Sequence, residues 1–435
     1  MKKYILNLIW MLSDRVLMLA FQLYVFSSIK RNFGTEVLGG WATINNLSQI
    51  LISLFMLGID IVVIKRIIED KSAAGREMGS AITIQVAGAI FYSIILLFII
   101  KLFYNNIQFV WLYYAVFVVA NLLSIFAKSI FWHYSALLEA RLRAITIITS
   151  IILSFATVVL INQYKPQVIF LSFAVYYFLQ LIISMFIYYF VFSEKAKWSI
   201  SRECINVYLR SGSKLIISTL SVAIFVQADT LMLEKLSGLH EVGIFNAALR
   251  ISTIWFFVAG IVSTAFFPKI VDAKKNSSES LFLMKWMTGS LLIATLIISV
   301  LVTIFGRYIV WFLYGKDMDQ AIIVLSIHIW SSIFVFMGAF SSKWLFANNE
   351  INIEVTKTVI AALFNVIANY FFIPCYGAIG ASIVSMFAYF IANILVLALL
   401  KKTRIIILEQ LKSFVYVIHP LKYYRDCRKA ICLFR

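Results

Sequence analysis

The chain has 435 residues, of which 62% are hydrophobic and only 13% are charged, and its mean hydropathy is +0.94. This composition excludes a soluble globular protein and indicates a polytopic membrane protein. The formal net charge is +18. That charge would suit a nucleic-acid partner, but the basic residues are distributed by membrane side, so we predict no nucleic-acid binding. The four cysteines are too scattered for a disulfide framework.

Apolar runs of about 20 residues, the length of helix that crosses a bilayer, predict roughly twelve membrane spans. They lie at about 8–29, 40–63, 79–100, 107–127, 144–162, 168–192, 213–235, 242–266, 286–305, 320–340, 355–374 and 378–400. The first run lacks a small-residue cleavage site, so we expect it to remain as a span. The sequence therefore predicts an all-α polytopic protein in four parts. These are an N-terminal six-helix bundle (1–192), a cytoplasmic linker (193–212), a C-terminal six-helix bundle (213–400) and a basic tail (401–435).

Lysine and arginine are concentrated on one side of the predicted membrane. If the N-terminus is cytoplasmic, 29 basic residues lie on the cytoplasmic side and 7 on the opposite side. The positive-inside rule then predicts that both termini are cytoplasmic. The tail has no uninterrupted apolar run of spanning length, so we expect it to lie at the surface of the anionic leaflet.

Two similar stretches, EVLGGWATINNL in the first half and EVGIFNAALRI in the second, predict an internal repeat. With one residue skipped, the matched pairs are Trp41 with Phe245, Asn46 with Arg250, and Lys65 with Lys269. An even number of spans in each half makes the repeat parallel, with a pseudo-two-fold axis along the membrane normal. Transporters built in this way place the substrate path between two bundles. Chance similarity of apolar sequence is the alternative explanation.

Asp229 and Arg250 flank the predicted turn between the seventh and eighth spans, near Leu239. At 1.5 Å per helical residue, both lie roughly 15 Å below this turn, at about mid-membrane. A charged side chain left in lipid there would cost about 2.5–3.5 kcal/mol on insertion scales. We therefore expect the two side chains to face each other or a water-filled cavity. The alternative is a structural salt bridge that fixes the pairing of two helices.

Other ionisable residues also lie in or at the ends of spans 1, 2, 7 and 8, the spans that open the two halves. They are the acidic Asp14 and Asp60 and the basic Arg15, Lys30, Arg31, Lys65, Arg66 and Lys269. A path lined by these spans would carry more positive than negative charge and would attract an anion. Arginine suits phosphate oxygens in particular. For the cations at span ends, snorkelling of the side chain to the membrane interface is the alternative.

Motifs for nucleotide hydrolysis, zinc proteolysis and serine-nucleophile catalysis are missing from the sequence. We therefore predict a protein that is not an enzyme, with no cofactor and no metal. A polytopic O-antigen polymerase or glycosyltransferase would need a large outer loop, and every predicted outer loop is short. His328, in the tenth predicted span, is expected to be a hydrogen-bonded packing residue.

Five segments, spread in order over essentially the whole chain, resemble the Wzx-type O-antigen flippases of the multidrug/oligosaccharidyl-lipid/polysaccharide (MOP) exporter superfamily. They are RNFGTEVLGGWATI, LGIDIVVIKRI, QADTLMLEKLSGLHEVGIFNAALRI, FFPKI and IPCYGAIGASIVSMFAY. The resemblance implies a V-shaped, MATE-like pair of six-helix bundles that work by alternating access. It also implies an undecaprenyl-pyrophosphate-linked oligosaccharide as cargo, moved to the periplasmic leaflet of the bacterial inner membrane.

The resemblance and the positive charge of the predicted path together suggest roles for the charged residues. Substrate binding falls to Arg15, Arg250, Lys65, Lys269 and Arg31, and ion coupling to Asp229, Asp60 and Asp14. Asp229 would hold Arg250 or exchange H⁺ or Na⁺ as the bundles move, and the O-antigen polymerase machinery is an expected partner. A multidrug exporter of the same superfamily is the alternative. A basic cavity argues against a multidrug exporter, whereas the acidic residues Asp14 and Asp60 are consistent with one.

Overall fold

The computed structural model describes residues 2–137, 139–272, 277–348 and 350–434, and within these ranges the secondary structure is helical, with no strand. The helices up to the middle of the chain are α1 (Lys2–Phe33), α2 (Thr35–Phe55), α3 (Asp60–Glu69), α4 (Ala74–Ile99), α5 (Val110–Ala136), α6 (Ala140–Asn162), α7 (Ser172–Phe186) and α8 (Arg202–Ser237). Those that follow are α9 (Leu239–Ser252), α10 (Phe256–Asp272), α11 (Ser277–Tyr314), α12 (Asp319–His328), α13 (Ser331–Ala347), α14 (Ile351–Phe390), α15 (Val396–Leu399), α16 (Arg404–Lys412), α17 (Val415–Ile418) and α18 (Pro420–Phe434). The predicted all-α class is confirmed.

Nine helical segments of the described chain are long and apolar enough to cross a membrane, or ten if the bent pair α2–α3 is one span. The sequence predicted roughly twelve. One cause of the difference is the segment Ile351–Leu399, whose 49 residues contain the last two predicted spans. Gly377, with φ 54° and ψ −133°, separates them. The other is α8, which covers the seventh predicted span but is not among the segments counted.

The chain forms two compact units, Met1–Leu231 and Met232–Arg435. The division falls inside α8, downstream of the predicted linker at 193–212. Of that predicted linker, residues 193–201 are non-helical, and they pack against α4. The helix that follows begins at Arg202. The boundaries derived from the sequence therefore stay a prediction.

Trp41 of α2 organises the aromatic core at one end of the N-terminal unit. Its side chain is fully buried. The centroid of its ring system lies 4.6 Å from that of Phe117 and 5.2 Å from that of Tyr113, both on α5, and it stacks on Phe173 of α7 at 5.9 Å. These contacts fix α2 against α5 and α7, since aromatic pairs in this distance range add to the stabilisation from burial.

The two stretches of the predicted repeat share their local backbone geometry. Gly34 precedes α2 with φ 90° and ψ 175°, and Gly238 precedes α9 with φ 90° and ψ 173°. The two glycines are separated by the same sequence offset that aligns Trp41 with Phe245. A φ of this value is readily available only to glycine. Both helices are then interrupted, the first after Phe55 and the second after Ser252. The local structure thus agrees with the predicted repeat.

The predicted tail folds into three helices, α16 to α18, and the first of them packs into the C-terminal unit. Gln410 of α16 is fully buried. Its amide donates to the Met337 carbonyl at 2.9 Å, and its carbonyl accepts from the Ser341 hydroxyl at 3.0 Å. The structure therefore differs from a wholly interfacial tail, because α16 is fastened by buried hydrogen bonds to α13.

Candidate functional site

Asp229 lies on α8 in the N-terminal unit, and its side chain is only 5% exposed. Its neighbour Thr230 accepts a hydrogen bond of 2.7 Å from the side-chain amide of Asn46 on α2. The Asn45 amide in turn donates to Asn46 Oδ1 at 3.2 Å. Buried polar side chains therefore join α2 and α8 next to Asp229. Such groups are rarely buried in membrane helices without a partner or a functional role.

Arg250 lies in the last turn of α9 in the C-terminal unit and is partly buried. Its guanidinium is within electrostatic reach of Tyr314, at the end of α11. Two residues further on, Ser252 and His328 Nδ1 share a hydrogen bond of 2.9 Å. His328 is fully buried and stacks on Phe256, in agreement with its expected packing role. Arg250 and Asp229 belong to different units, and their pairing stays a prediction.

Asp14 and Arg15, adjacent on α1, have different surroundings. Asp14 is buried and lies within electrostatic reach of Arg143 on α6 as well as of Arg15. Arg15 is exposed. Near Asp14, the Gln180 amide donates to the Tyr176 hydroxyl at 2.7 Å. The structure thus gives Asp14 a basic neighbour that we did not predict, Arg143, in addition to Arg15.

Asp60 lies at the first position of α3, after the interruption of the second span. Its carboxylate accepts a hydrogen bond of 3.0 Å from the Trp132 indole and a longer one of 3.4 Å from the Gln85 amide. The donors come from α5 and α4, so Asp60 joins three helices of the N-terminal unit. These neutral donors fix the position of the Asp60 carboxyl group between the three helices.

The remaining predicted site residues lie at less enclosed positions. Arg31 is exposed at the end of α1. Lys65 is exposed on α3 and pairs with Glu69, one helical turn further on, at 3.6 Å. Lys269 lies within α10, but its side chain is outside the described residues. The roles proposed for these three residues stay predictions.

The sequence interpretation missed a buried carboxylate at the start of α4. Glu77 is 2% exposed and accepts from Arg66 of α3 at 2.8 Å and from the hydroxyl of Tyr208 on α8. Burial, followed by the neighbouring Glu77 carboxylate, raises the pKa of Tyr208 well above its usual range. The phenol therefore stays protonated and donates. Glu77 lies just before the third predicted span, and this position next to an apolar run was the one sequence signal that could have indicated its burial.

The C-terminal unit contains a buried lysine that the sequence interpretation placed at a cytoplasmic span end. Lys357 of α14 is 3% exposed. Its ammonium contacts Glu354 at 3.0 Å, Ser342 Oγ at 3.0 Å and, at 3.4 Å, Asn393 Oδ1. Its position inside the eleventh predicted span was the signal for burial. Within the described ranges, no group of three or more His, Cys, Asp or Glu residues could hold a metal ion.

The fold and these buried polar positions are those of a polytopic membrane protein. The polysaccharide biosynthesis protein family matches residues 6–274, more than half of the chain, and the chain belongs to this family. Among curated proteins, it is 25% identical over 168 residues to "Capsular polysaccharide biosynthesis protein CapF" of Staphylococcus aureus, which covers 38% of this chain and 42% of that protein. It is also 25% identical over 260 residues to an uncharacterized membrane protein of Methanocaldococcus jannaschii, covering 57% of this chain and 50% of that protein.

These matches span half or less of the length of the two curated relatives. Two solved structures share the fold over nearly the full chain. An inward-facing multidrug resistance MATE family transporter superposes with a TM-score of 0.71 at 15% identity, covering 95% of this chain and 96% of that one. Lipid II flippase MurJ, in an inward closed conformation, has a TM-score of 0.66 at 18% identity, covering 99% and 97%. The MATE-like fold is thereby confirmed.

Proposed function

We propose that this protein is a flippase for an undecaprenyl-pyrophosphate-linked O-antigen oligosaccharide. It carries this cargo from the cytoplasmic to the periplasmic leaflet of a bacterial inner membrane by alternating access. The observation that carries the proposal is the match of the polysaccharide biosynthesis family over residues 6–274. A fold shared with a lipid II flippase and a MATE transporter supports it. The protein acts as a transporter rather than as an enzyme, with both termini cytoplasmic and the O-antigen polymerase machinery as its downstream partner.

In this proposal the basic residues hold the pyrophosphate. Arg250 is the principal candidate because it is partly buried in the C-terminal unit, beside Tyr314. A guanidinium in such a place offers several donors to phosphate oxygens. The basic residues that guide the anion to it are Arg15, Arg31, Lys65 and Lys269. Of these, Arg15, Arg31 and Lys65 are exposed, which suits a first electrostatic contact more than tight binding.

Ion coupling falls to the three acidic residues. Asp229 and Asp14 are buried, and Asp60 is fixed by Trp132 and Gln85. Exchange of H⁺ or Na⁺ at these carboxylates would link an ion gradient to the change between conformations. Buried intramembrane carboxylates are the usual carriers of such coupling.

The test is complementation of a strain that lacks the gene, with surface polysaccharide as the readout. We expect Arg250→Ala and Asp229→Asn to reduce surface display at least tenfold at normal protein level. The matched control is Arg202→Ala, which removes an exposed cation from the start of α8. Full display by both site variants at normal expression would overturn the site assignment. Normal surface polysaccharide in the deletion strain would overturn the assignment of the cargo.

A multidrug exporter of the same superfamily is the second candidate function. It is favoured by the similarity to a MATE transporter and by the acidic Asp14 and Asp60 in the N-terminal unit. In that case the deletion strain would become more sensitive to cationic amphiphiles while its surface polysaccharide stays normal. If the protein is the flippase, the deletion strain should lose surface polysaccharide and keep its normal sensitivity to cationic amphiphiles.

A further inference from the structure

The N-terminal unit contains a cavity of about 500 Å³, outside the residues assigned to the transport path. It lies between the start of α4, the end of α5 and the non-helical segment 193–201, here called the strap. The ionisable residues that line it are Lys71, Arg76, His133, Glu194, Lys195 and Lys197. Its volume falls within the range of small-molecule sites, roughly 300–1,000 Å³.

The charge of the cavity wall is strongly unbalanced. Lys71, Arg76, Lys195 and Lys197 contribute cations, and Glu194 contributes the one carboxylate among the lining residues. All of these residues lie on the predicted cytoplasmic side of the chain. A concave surface lined by charges of one sign focuses the electrostatic potential and concentrates the opposite ion. The cavity is therefore suited to a polyanion.

The strap is fixed on α4 by close backbone contacts, which hold the backbone that carries its lysines. A Cβ at Gly75 would overlap the Lys197 carbonyl, and one at Gly79 would overlap the Ser199 carbonyl. The Ser199 N–H donates to the Gly75 carbonyl at 3.1 Å, and the Ser201 N–H donates to Ser80 Oγ at 2.9 Å. Two glycines on α4 thus allow an approach that no other residue type permits.

The Tyr188 hydroxyl forms hydrogen bonds with both the strap and His133 of the cavity wall. The Ala196 N–H donates to the Tyr188 hydroxyl oxygen at 2.9 Å, and this hydroxyl lies 3.0 Å from His133 Nδ1. The hydroxyl can accept from Ala196 and donate its own proton at the same time, and we assign this proton to the bond with His133 Nδ1 as acceptor. The imidazole proton then resides on Nε2, where it is a donor. His133 is buried and lines the cavity.

We propose that this cavity binds a pyrophosphate group. Two linked phosphoryl groups provide enough oxygens for four cations and a histidine donor, and charge-assisted bonds of this kind are short and strong. The inference rests on the proposed function, in which the cargo carries a pyrophosphate in the cytoplasmic leaflet. The cavity would hold this headgroup before the cargo enters the path between leaflets. Soluble pyrophosphate has the same chemistry and is the other source.

The experiment measures binding to the full chain in lipid nanodiscs. One arm titrates inorganic pyrophosphate by calorimetry, and the other titrates a fluorescent polyprenyl pyrophosphate built into the disc, with the polyprenyl monophosphate as comparison. We compare wild type with the double variant Lys195→Gln/Lys197→Gln. The matched control is Arg202→Gln/Arg210→Gln, which removes the same charge from exposed positions of the same unit outside the cavity.

We expect the strap variant to weaken pyrophosphate binding at least tenfold and the control to change it less than threefold. Gly75→Ala changes no charge but displaces the strap, so it should also weaken binding; its melting temperature checks that the protein is folded. Equal loss in the control would mean diffuse surface electrostatics and would overturn the proposal, as would wild type that binds neither probe. Competition between the two probes assigns the site to the lipid headgroup, and binding of the soluble probe alone assigns it to soluble pyrophosphate.

The two proposals fail separately. If surface display depends on Arg250 but neither probe binds, the cavity proposal falls and the flippase stands. If the strap variant loses pyrophosphate binding while the gene deletion leaves surface polysaccharide intact, the cavity binds pyrophosphate but the cargo assignment falls.

Discussion

The N-terminal and C-terminal units start their repeated helices in the same way, after Gly34 and Gly238, but they use charge differently. In the N-terminal unit the repeat position is the neutral Asn46, bonded to Thr230, and Arg66 stays 30% exposed while it pairs with Glu77. In the C-terminal unit the matching position is Arg250, and Lys357 is almost completely buried. The same local backbone can therefore carry a neutral residue in one unit and a cation in the other. Its shape depends on the glycine and aromatic positions and not on the charged ones.

Removing Lys357, the almost completely buried cation of the C-terminal unit, should have the largest effect. Lys357→Met removes the almost completely buried ammonium and leaves Glu354, whose side chain is 23% exposed, without its partner. We expect a loss of roughly 3–5 kcal/mol, the range for breaking a buried pair, seen as a large drop in the melting temperature of the detergent-solubilised protein. Lys402→Met removes the exposed partner of Glu350 and should cost less than about 1 kcal/mol. Equal shifts would contradict the comparison.

The corresponding change in the N-terminal unit should be smaller. Glu77→Gln removes the charge that Arg66 and Tyr208 share, but Arg66 can turn towards solvent. We therefore expect about 2–3 kcal/mol, below the range for a fully buried pair. Glu69→Gln, at the exposed pair with Lys65, is the control and should be nearly neutral. The comparison would need revision if Glu77→Gln were as damaging as Lys357→Met.

The interruption of the second span provides a backbone test. Gly58 has φ 60°, and its added Cβ would lie 2.9 Å from Thr219 Cγ2. Gly58→Ala should cost about 1–2 kcal/mol for the left-handed conformation alone. Gly260 is helical with open space around it, so Gly260→Ala should instead stabilise by about 0.5–1 kcal/mol. Thermal unfolding of both variants gives the sign, and shifts of the same sign would contradict this account.

The smallest effect concerns the connection between α3 and α4. The Ser72 hydroxyl donates to Asp70 at 2.6 Å and, as the main cause, lowers the pKa of the Asp70 carboxyl. A lowered folded-state pKa stabilises the fold above the unfolded value of about 3.9, and the stabilisation is lost as pH falls through the folded value. Ser72→Ala should therefore be less stable than wild type by a constant amount from pH 5 to 7, and this difference should shrink as acidification below that range removes the stabilisation from the wild type. Thermal melts at stepped pH provide the measurement.

Much of the fold could be predicted from local sequence. Length and apolarity placed each predicted span on a helix, and the similarity of two stretches predicted the repeat, whose local geometry the structure then showed in Gly34 and Gly238. The candidate site was harder to predict from the sequence. Asp229 and Asp14 were singled out because a charge in an apolar run is costly; both are buried, and their roles stay predictions. Glu77 and Lys357 were missed because their burial depends on partners from other helices.

The sequence by itself determined that this is a helical membrane protein with a repeated start to each half, because hydropathy and glycine positions act locally along the chain. Only the tertiary structure decided which charges are enclosed and what encloses them. Tyr208 reaches Glu77 from α8, Asn393 reaches Lys357, and the strap lies on Gly75 and Gly79. These contacts join residues far apart in sequence, and the helical period that places a residue on one face does not say which helix faces it.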